Sequence, residues 1–362
     1  MIPSALDADL RPPIEAVQEI ETVEGLAALK EEWAALWERC PSATPFQRPE
    51  WLLPWCRHFG PLDLWALAVR VGDRLVGLAP FFVYERPKDL DAGGYVEERV
   101  LALVGTGNSD YLDILVEPAH RDGATAAITS HLESHAWRWD VGVLEQLRDG
   151  SPLREMVLPE VWSDSLKPQT ACPAISLPDR PEALREAVPP KQLKCLQRLR
   201  RRAAEIAPLR FVAADESNRE EIFQALVALH GSRWQGQGQT GVLDSEEIQG
   251  FHREVIAGFA SLGVPVLHGL FLGDALIAAF YGFFDRGATY YYLHGFDAGW
   301  KHLSPGLLLV GAALDEAIAR GMRTFDFLRG QETYKYYWGA RDRMSFARRF
   351  RPAAQRAPSS SS

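Results

Sequence analysis

A carboxylate set between two phenylalanines, in Thr324-Phe325-Asp326-Phe327-Leu328, is a place where this chain could do acid–base chemistry. Strand alternation puts Phe325 and Phe327 on one face and Asp326 on the other. Apolar neighbours raise a carboxylate's pKa, which suits a general base, whereas pairing with Arg323 or Arg329 would make the same group structural. Arg329-Gly330 then opens a loop in which Glu332, Tyr334 and Lys335 follow within a few residues. Glu332 there either reaches a substrate or stays solvated or caps the next turn. Lys335 either donates to an oxygen or binds an acidic acceptor, or it lies on the surface. Tyr336, Tyr337 and Trp338 read as packing residues.

A second constellation lies upstream. Lys301 precedes Ser304-Pro305-Gly306, at the start of a long apolar segment. A helix beginning after a strand presents bare amides and the positive end of its dipole, together an anion site. Ser304 is expected as the N-cap, Pro305 as the first helical residue, and Gly306 as the point where a ligand or another backbone comes close. Lys301 would neutralise a phosphate. The same Ser-Pro is also an ordinary helix start.

Histidines are scattered. His230 and Arg233 share a face of a predicted helix, with Trp234 next and a polar loop, residues 235–244, that reads as a lid or specificity loop. His294 lies in the strand before the anion loop; a lone histidine is more often structural. His131 and His135 are four apart on another predicted helix, but the stretch lacks the HExxH glutamate and shows no third ligand, so no metal is expected. No GxSxG supplies a nucleophile.

Residues 189–206 form a basic helix. Leu193, Leu196, Leu199 and Ala203 make an apolar stripe, and Lys191, Lys194, Arg198 and Arg201 share another face. That face either attracts an acidic substrate, a nucleotide-linked sugar, an acyl carrier protein or a transfer RNA, or is simply solvated.

These residues need a frame of a certain size. At 362 residues the chain exceeds one ordinary core, so two domains are expected. With 47% hydrophobic and 24% charged residues and a net charge of -9, it reads as a globular, cytoplasmic protein and no bulk DNA binder. The four cysteines form no CxxC pair and read as reduced thiols. Neither a signal peptide nor a membrane span is evident in the sequence.

The two halves share one plan. VGDRLVGLA at residues 71–79 matches LGDALIAAF at 272–280, each spanning a Gly-Asp hairpin turn. Further strands are expected over 111–116 and 289–295, helices over 124–137 and 306–320, and returning strands over 141–146 and 324–328. Upstream helices are expected over 24–38 and 219–234. A helix between two strands favours a parallel pair, so each sheet should be mixed and mostly antiparallel, flanked by helices, in an α/β (α+β) chain. The expected divisions are a disordered lead, 1–18, domains over 19–165 and 166–352, and a disordered tail, 353–362.

At the strand-to-helix junction the chain resembles the GNAT-superfamily acyltransferases. Their pyrophosphate loop runs Arg or Gln, two residues, Gly, one residue, then Gly or Ala; here Lys301 and Ser304 replace the first two and Gly306 stands last. GMRTFDFLRGQETYKYYWG, residues 321–339, and TPFQRPEWLLPWCRHFG, residues 44–60, resemble CelD/BcsL-type acetyltransferases, which are similar to the FemAB peptidyltransferases. The resemblance implies two tandem GNAT-like domains, with the active site in the second. It also implies an acyl-CoA donor, an amine acceptor on a sugar or small polar molecule, and a link to cellulose or exopolysaccharide synthesis. In Fem-type relatives a lysine at the position of Lys335 lies near the reaction centre, which makes it the leading catalytic candidate beside Asp326, Glu332 and Tyr334. Two alternatives are a FemAB-like transferase using aminoacyl-tRNA and a cell-wall precursor, and a non-catalytic module of polysaccharide assembly.

Overall fold

Gly72-Asp73 and Gly273-Asp274 each close a tight hairpin, and both glycines are left-handed, at φ 56° and 59°. The hairpins belong to different parts of the chain. The computed structural model describes residues 14, 16–60, 63–89, 95–235 and 241–353. They divide into a first unit, residues up to Gln169 with those from Ser345 onward, and a second unit, Thr170–Met344.

The first unit opens with β1 (Ala16–Ile20), which begins inside the span assigned to the lead, then α1 (Val23–Ala28), α2 (Lys30–Arg39) and α3 (Pro49–Phe59). The single helix expected over 24–38 is two: Leu29 bonds back to Leu26 O and tightens the turn, so that Leu26 and Trp33 are both fully buried. β2 (Asp63–Val71) and β3 (Arg74–Asp89) form the hairpin, and β4 (Tyr95–Leu103) completes the meander. The strand expected over 111–116 is only β5 (Leu115–Val116), a short edge pairing on β3; the true third strand is β4, whose first three residues, Tyr95 to Glu97, are exposed. α4 (Arg121–Ser134) leads to β6 (Val141–Leu147), which runs parallel to β4; α5 (Pro152–Glu155) follows.

β7 (Ser163–Ser176) carries the chain into the second unit, followed by α6 (Leu184–Ala187), α7 (Pro190–Ala204), β8 (Leu209–Ala213), α8 (Arg219–Gln235) and α9 (Glu246–Ser261). The meander is β9 (Leu267–Leu272), β10 (Ala275–Asp285) and β11 (Ala288–Phe296). α10 (Pro305–Ala319) returns the chain to β12 (Thr324–Asp326), parallel to β11, before α11 (Thr333–Tyr337) and β13 (Arg341–Arg351).

Strand order in the second unit is β7-β12-β11-β10-β9-β8. From Phe346 on, β13 pairs antiparallel with β6 and gives the first unit the order β1-β2-β3-β4-β6-β13. The strands of each unit thus pair in a mixed pattern, with one parallel pair among antiparallel neighbours, as the helix-between-strands pattern predicts. The second unit's core lies between its sheet and α7 and α10, built from Leu196, Leu199, Phe280, Leu308, Leu314 and Phe325. Among the described residues no helix is long and apolar enough to cross a membrane. None of the four cysteines is in a disulfide, and burial pushes the Cys56 thiol up to about 12.

Candidate active site

The parallel pair of the second unit is short. β11 and β12 pair only over Ala288–Tyr290 and Thr324–Asp326, and β11 then runs on to Phe296 without β12 beside it. The side chains beyond that divergence meet the start of α10. His294 and Phe296 from β11, Lys301, Ser304 and Gly306 from the junction, Leu307 and Val310 from α10, and Tyr334, Tyr337 and Trp338 from around α11 line a cleft of about 430 Å³. That volume suits a small-molecule ligand. Gln192 of α7 reaches the same wall. A larger cleft, about 580 Å³, lies beside α4 and α5, but Asp122, Glu133 and Glu155 on its walls oppose an anion.

The junction differs from expectation in one respect. Ser304 is no side-chain N-cap: its backbone is left-handed, φ 50°, and its hydroxyl bonds no helix amide. It is the hinge between the 3-10 turn of Ala298–Leu303 and α10. Its carbonyl accepts from Leu307 N at 2.9 Å and Leu308 N at 3.2 Å. Pro305 has no amide hydrogen, so Gly306 supplies the foremost amide at the cleft. A Cβ on Gly306 would lie 3.0 Å from the Phe296 ring, so glycine keeps the first turn against that aromatic wall.

Around β12 the carboxylates and the lysine hold the chain to itself. Asp326 is 5% exposed, and its Oδ1 accepts from Leu328 N at 2.8 Å, pinning a left-handed residue, φ 57°. Lys335 is 2% exposed, with Nζ donating to the carbonyls of Leu328, Arg329 and Gly330 at 3.2, 2.9 and 2.9 Å and pairing with Glu332 at 2.9 Å. An ammonium has three donors, so these partners saturate it. Lys335 is therefore neither on the surface nor open to a substrate. Glu332 stands exposed at the N-terminus of α11, and Arg329 is half-buried beside it. Tyr334 faces the cleft, its ring 5.8 Å from His294 and 6.0 Å from Phe327.

His230 is buried, and its Nδ1–H donates to His294 O at 3.0 Å, tying α8 to β11. Arg233 and Trp234 lie on α8, but their side chains and residues 236–240 of the expected lid are outside the described residues. On α7 the apolar stripe faces the core, while Lys191, Lys194, Arg198 and Arg201 are all exposed. Phe296, Val310, Tyr337 and Trp338 were not legible as site residues, because an apolar side chain lining a cleft carries the same sequence signal as one lining a core.

Residues 190–336 match the family model described as an acetyltransferase (GNAT) domain. That match falls within the second unit and marks it as similar to GNAT-type acetyltransferase domains. The match supports an acyltransferase, and the matched residues contain the cleft's strand-to-helix junction. FemX has a similar fold, with 10% identity, 92% of this chain and 97% of that one covered, and a TM-score of 0.64. A conserved protein of unknown function from Bacteroides thetaiotaomicron shares 10% identity over 93% of this chain and all of that one, TM-score 0.59. The C-terminal domain of a putative lysylphosphatidylglycerol synthetase from Agrobacterium fabrum shares 10% over 89% and 91%, TM-score 0.51. At such identities the likeness is one of fold. No curated protein matches the chain in sequence.

Proposed function

We propose that this GNAT domain moves an acyl group from acyl-CoA to an amine on a sugar or another small polar acceptor, in the synthesis of an exopolysaccharide. One observation carries the reading: a single cleft joins the amide of Gly306 and the ammonium of Lys301 to an apolar wall of Phe296, Leu307, Val310 and Trp338. The first two suit a phosphate, the wall suits a pantetheine arm and acyl chain. The exopolysaccharide setting follows from the CelD/BcsL resemblance of residues 321–339.

Acyl transfer to an amine breaks the acyl C–S bond and forms a C–N bond. The attacking ammonium must lose a proton, and the leaving thiolate must gain one. His294 is assigned the first role and Tyr334 the second, because both side chains line the cleft at its aromatic end. Asp326, Lys335 and Glu332 are assigned to positioning: they hold the loop after β12 and so present Tyr334. Replacing His294 by Ala or Tyr334 by Phe should lower kcat by about 10²–10⁴ without moving the acyl-CoA dissociation constant. Full turnover in either variant removes that residue from the chemistry.

The binding test is a melting-temperature shift with acetyl-CoA and longer acyl-CoAs. A ligand at 100 times its dissociation constant stabilises by about 2.7 kcal/mol. A second reading, transfer from an aminoacyl-tRNA, draws on the four exposed cations of α7, the helix whose Gln192 lines the cleft. No shift with any thioester, but a salt-dependent shift with aminoacyl-tRNA, would select it. No shift with either would leave the polysaccharide-binding module.

A further inference from the structure

We propose that Glu19, His131 and His135, in the first unit and remote in sequence from the acyltransfer cleft, form a binding site for a divalent transition-metal ion of the zinc type. The two histidines are one helical turn apart on α4 and present their Nε2 atoms to the same point. Glu19, carried on β1 opposite Leu67 of β2, meets them there. Its Oε1 lies 2.9 Å from His131 Nε2 and 3.3 Å from His135 Nε2. All three ligand atoms lie within 4.8 Å of one another. Bonds of about 2.0–2.1 Å in a tetrahedral zinc site put neighbouring donors roughly 3.3 Å apart. The trio is thus already near ligand spacing.

The surroundings orient these donors as metal ligands are oriented. His135 Nδ1 lies 2.9 Å from the carbonyl oxygen of His131, which can only accept, so Nδ1 carries the proton. In the neutral ring that leaves the Nε2 lone pair facing a carboxylate oxygen, an arrangement that a cation between them makes favourable. The other Glu19 oxygen is held by the Trp65 indole N–H at 3.0 Å and by Arg138 at 3.3 Å, which fixes the carboxylate plane. Arg138 also binds Glu21 at 2.6 Å and Asp63 at 2.7 Å. Three carboxylates, Glu19, Glu21 and Asp63, thus share the one guanidinium of Arg138, a local excess of negative charge that favours a bound cation. The side chains of Glu19, His131 and His135 are 28%, 16% and 29% exposed, so solvent can enter and supply a fourth ligand. Two histidines with a carboxylate suit zinc and its neighbours over calcium or magnesium. Bound there, the ion clips β1 to α4. The sequence conceals the site because its carboxylate lies 112 residues before His131.

The test uses the full chain, stripped with a chelator and dialysed against zinc. One zinc retained per chain is expected, with a rise in melting temperature and, with cobalt(II) instead, the visible absorption of a tetrahedral site. His135→Ala and, separately, Glu19→Gln should retain far less than one equivalent and lose the melting shift. Trp65→Phe, which removes one of the two donors to the outer carboxylate oxygen, should weaken zinc by about 10–100-fold. Circular dichroism checks that each variant is folded. Wild type retaining no zinc, or His135→Ala and Glu19→Gln both retaining as much as wild type, overturns the proposal. The latter outcome marks adventitious metal only. The readout needs no acyltransfer, so it stands or falls apart from the proposed activity.

Discussion

Lys335 shows what a buried charge does when its neighbours are backbone carbonyls. Taking an ammonium out of water costs several kcal/mol unless its donors are all met, and here three carbonyls and Glu332 meet them. The arrangement gathers the loop after β12 around one side chain. Gly330 allows this: its φ is 104°, and a Cβ there would come within 2.6 Å of Glu332 Oε2. Lys335→Met should strand the three carbonyls and destabilise the protein by about 3–5 kcal/mol, read as a fall in urea midpoint. Turnover should fall with it, because Tyr334 loses its support. A Met variant as stable as wild type yet inactive would instead return Lys335 to the chemistry. Sequence marked this residue as important but could not show its burial, since burial depends on where Leu328, Arg329 and Gly330 point their carbonyls. Ser304 teaches the same lesson. Its spacing located the helix start to within one residue, while its left-handed backbone, which decides whether a serine can cap, leaves no trace in residue type.

Elements were more legible than contacts, and the exceptions have physical causes. β2, β9, β10, β11, α4 and α10 follow from alternation and helical spacing, and Gly-Asp fixes both hairpin turns. β4 escaped because its outer half is Tyr-Val-Glu-Glu-Arg, with no alternating apolar face. β9 carries a feature no periodicity reports. His268 is 1% exposed and stacks on Phe211 at 4.9 Å, and neither ring nitrogen has a hydrogen-bond partner among the described residues. Burial, with a small push from Arg320, lowers it to about 3; burial, with His230, does the same to His252 of α9. Both are bases with depressed folded pKa values. Their neutral forms cost nothing above the unfolded value of about 6.5, and stability is lost as pH falls from there toward 3. Each should contribute about 1.4 kcal/mol of loss per pH unit in that window. His268→Phe should remove its share, so the variant's urea midpoint should fall less than wild type's between pH 7 and pH 5. Equal falls would show that His268 finds a proton acceptor on acidification.

At the scale of the whole molecule, the repeated order of hairpin, strand, helix and strand in two halves was legible, because each half must pattern its own sheet. The return of the chain's end to the first unit was not. Arg-Asp-Arg-Met-Ser-Phe-Ala-Arg-Arg-Phe-Arg reads as a charged segment, and every partner that makes it a strand lies far back in sequence. Arg348 is 5% exposed. Its guanidinium pairs with both oxygens of Asp164, at 3.0 and 2.7 Å, and donates to Leu153 O and Met156 O at 2.6 and 2.7 Å. Two places on, Phe350 lies within a cluster with Trp139 at 5.4 Å and Trp162 at 5.9 Å. Arg348→Ala should leave the two carbonyls and Asp164 without this partner, at about 3–5 kcal/mol. Lysine cannot reproduce the planar fork, so Arg348→Lys should recover only part of the loss. Eight of the eleven tryptophans precede residue 170, so indole fluorescence in a urea titration reports on the first unit. A lowered fluorescence midpoint in Arg348→Ala, with partial recovery in the lysine variant, is the expected result. An unchanged midpoint would mean that β13 is held by Phe350 and its backbone pairing with β6, and that the buried guanidinium adds nothing net.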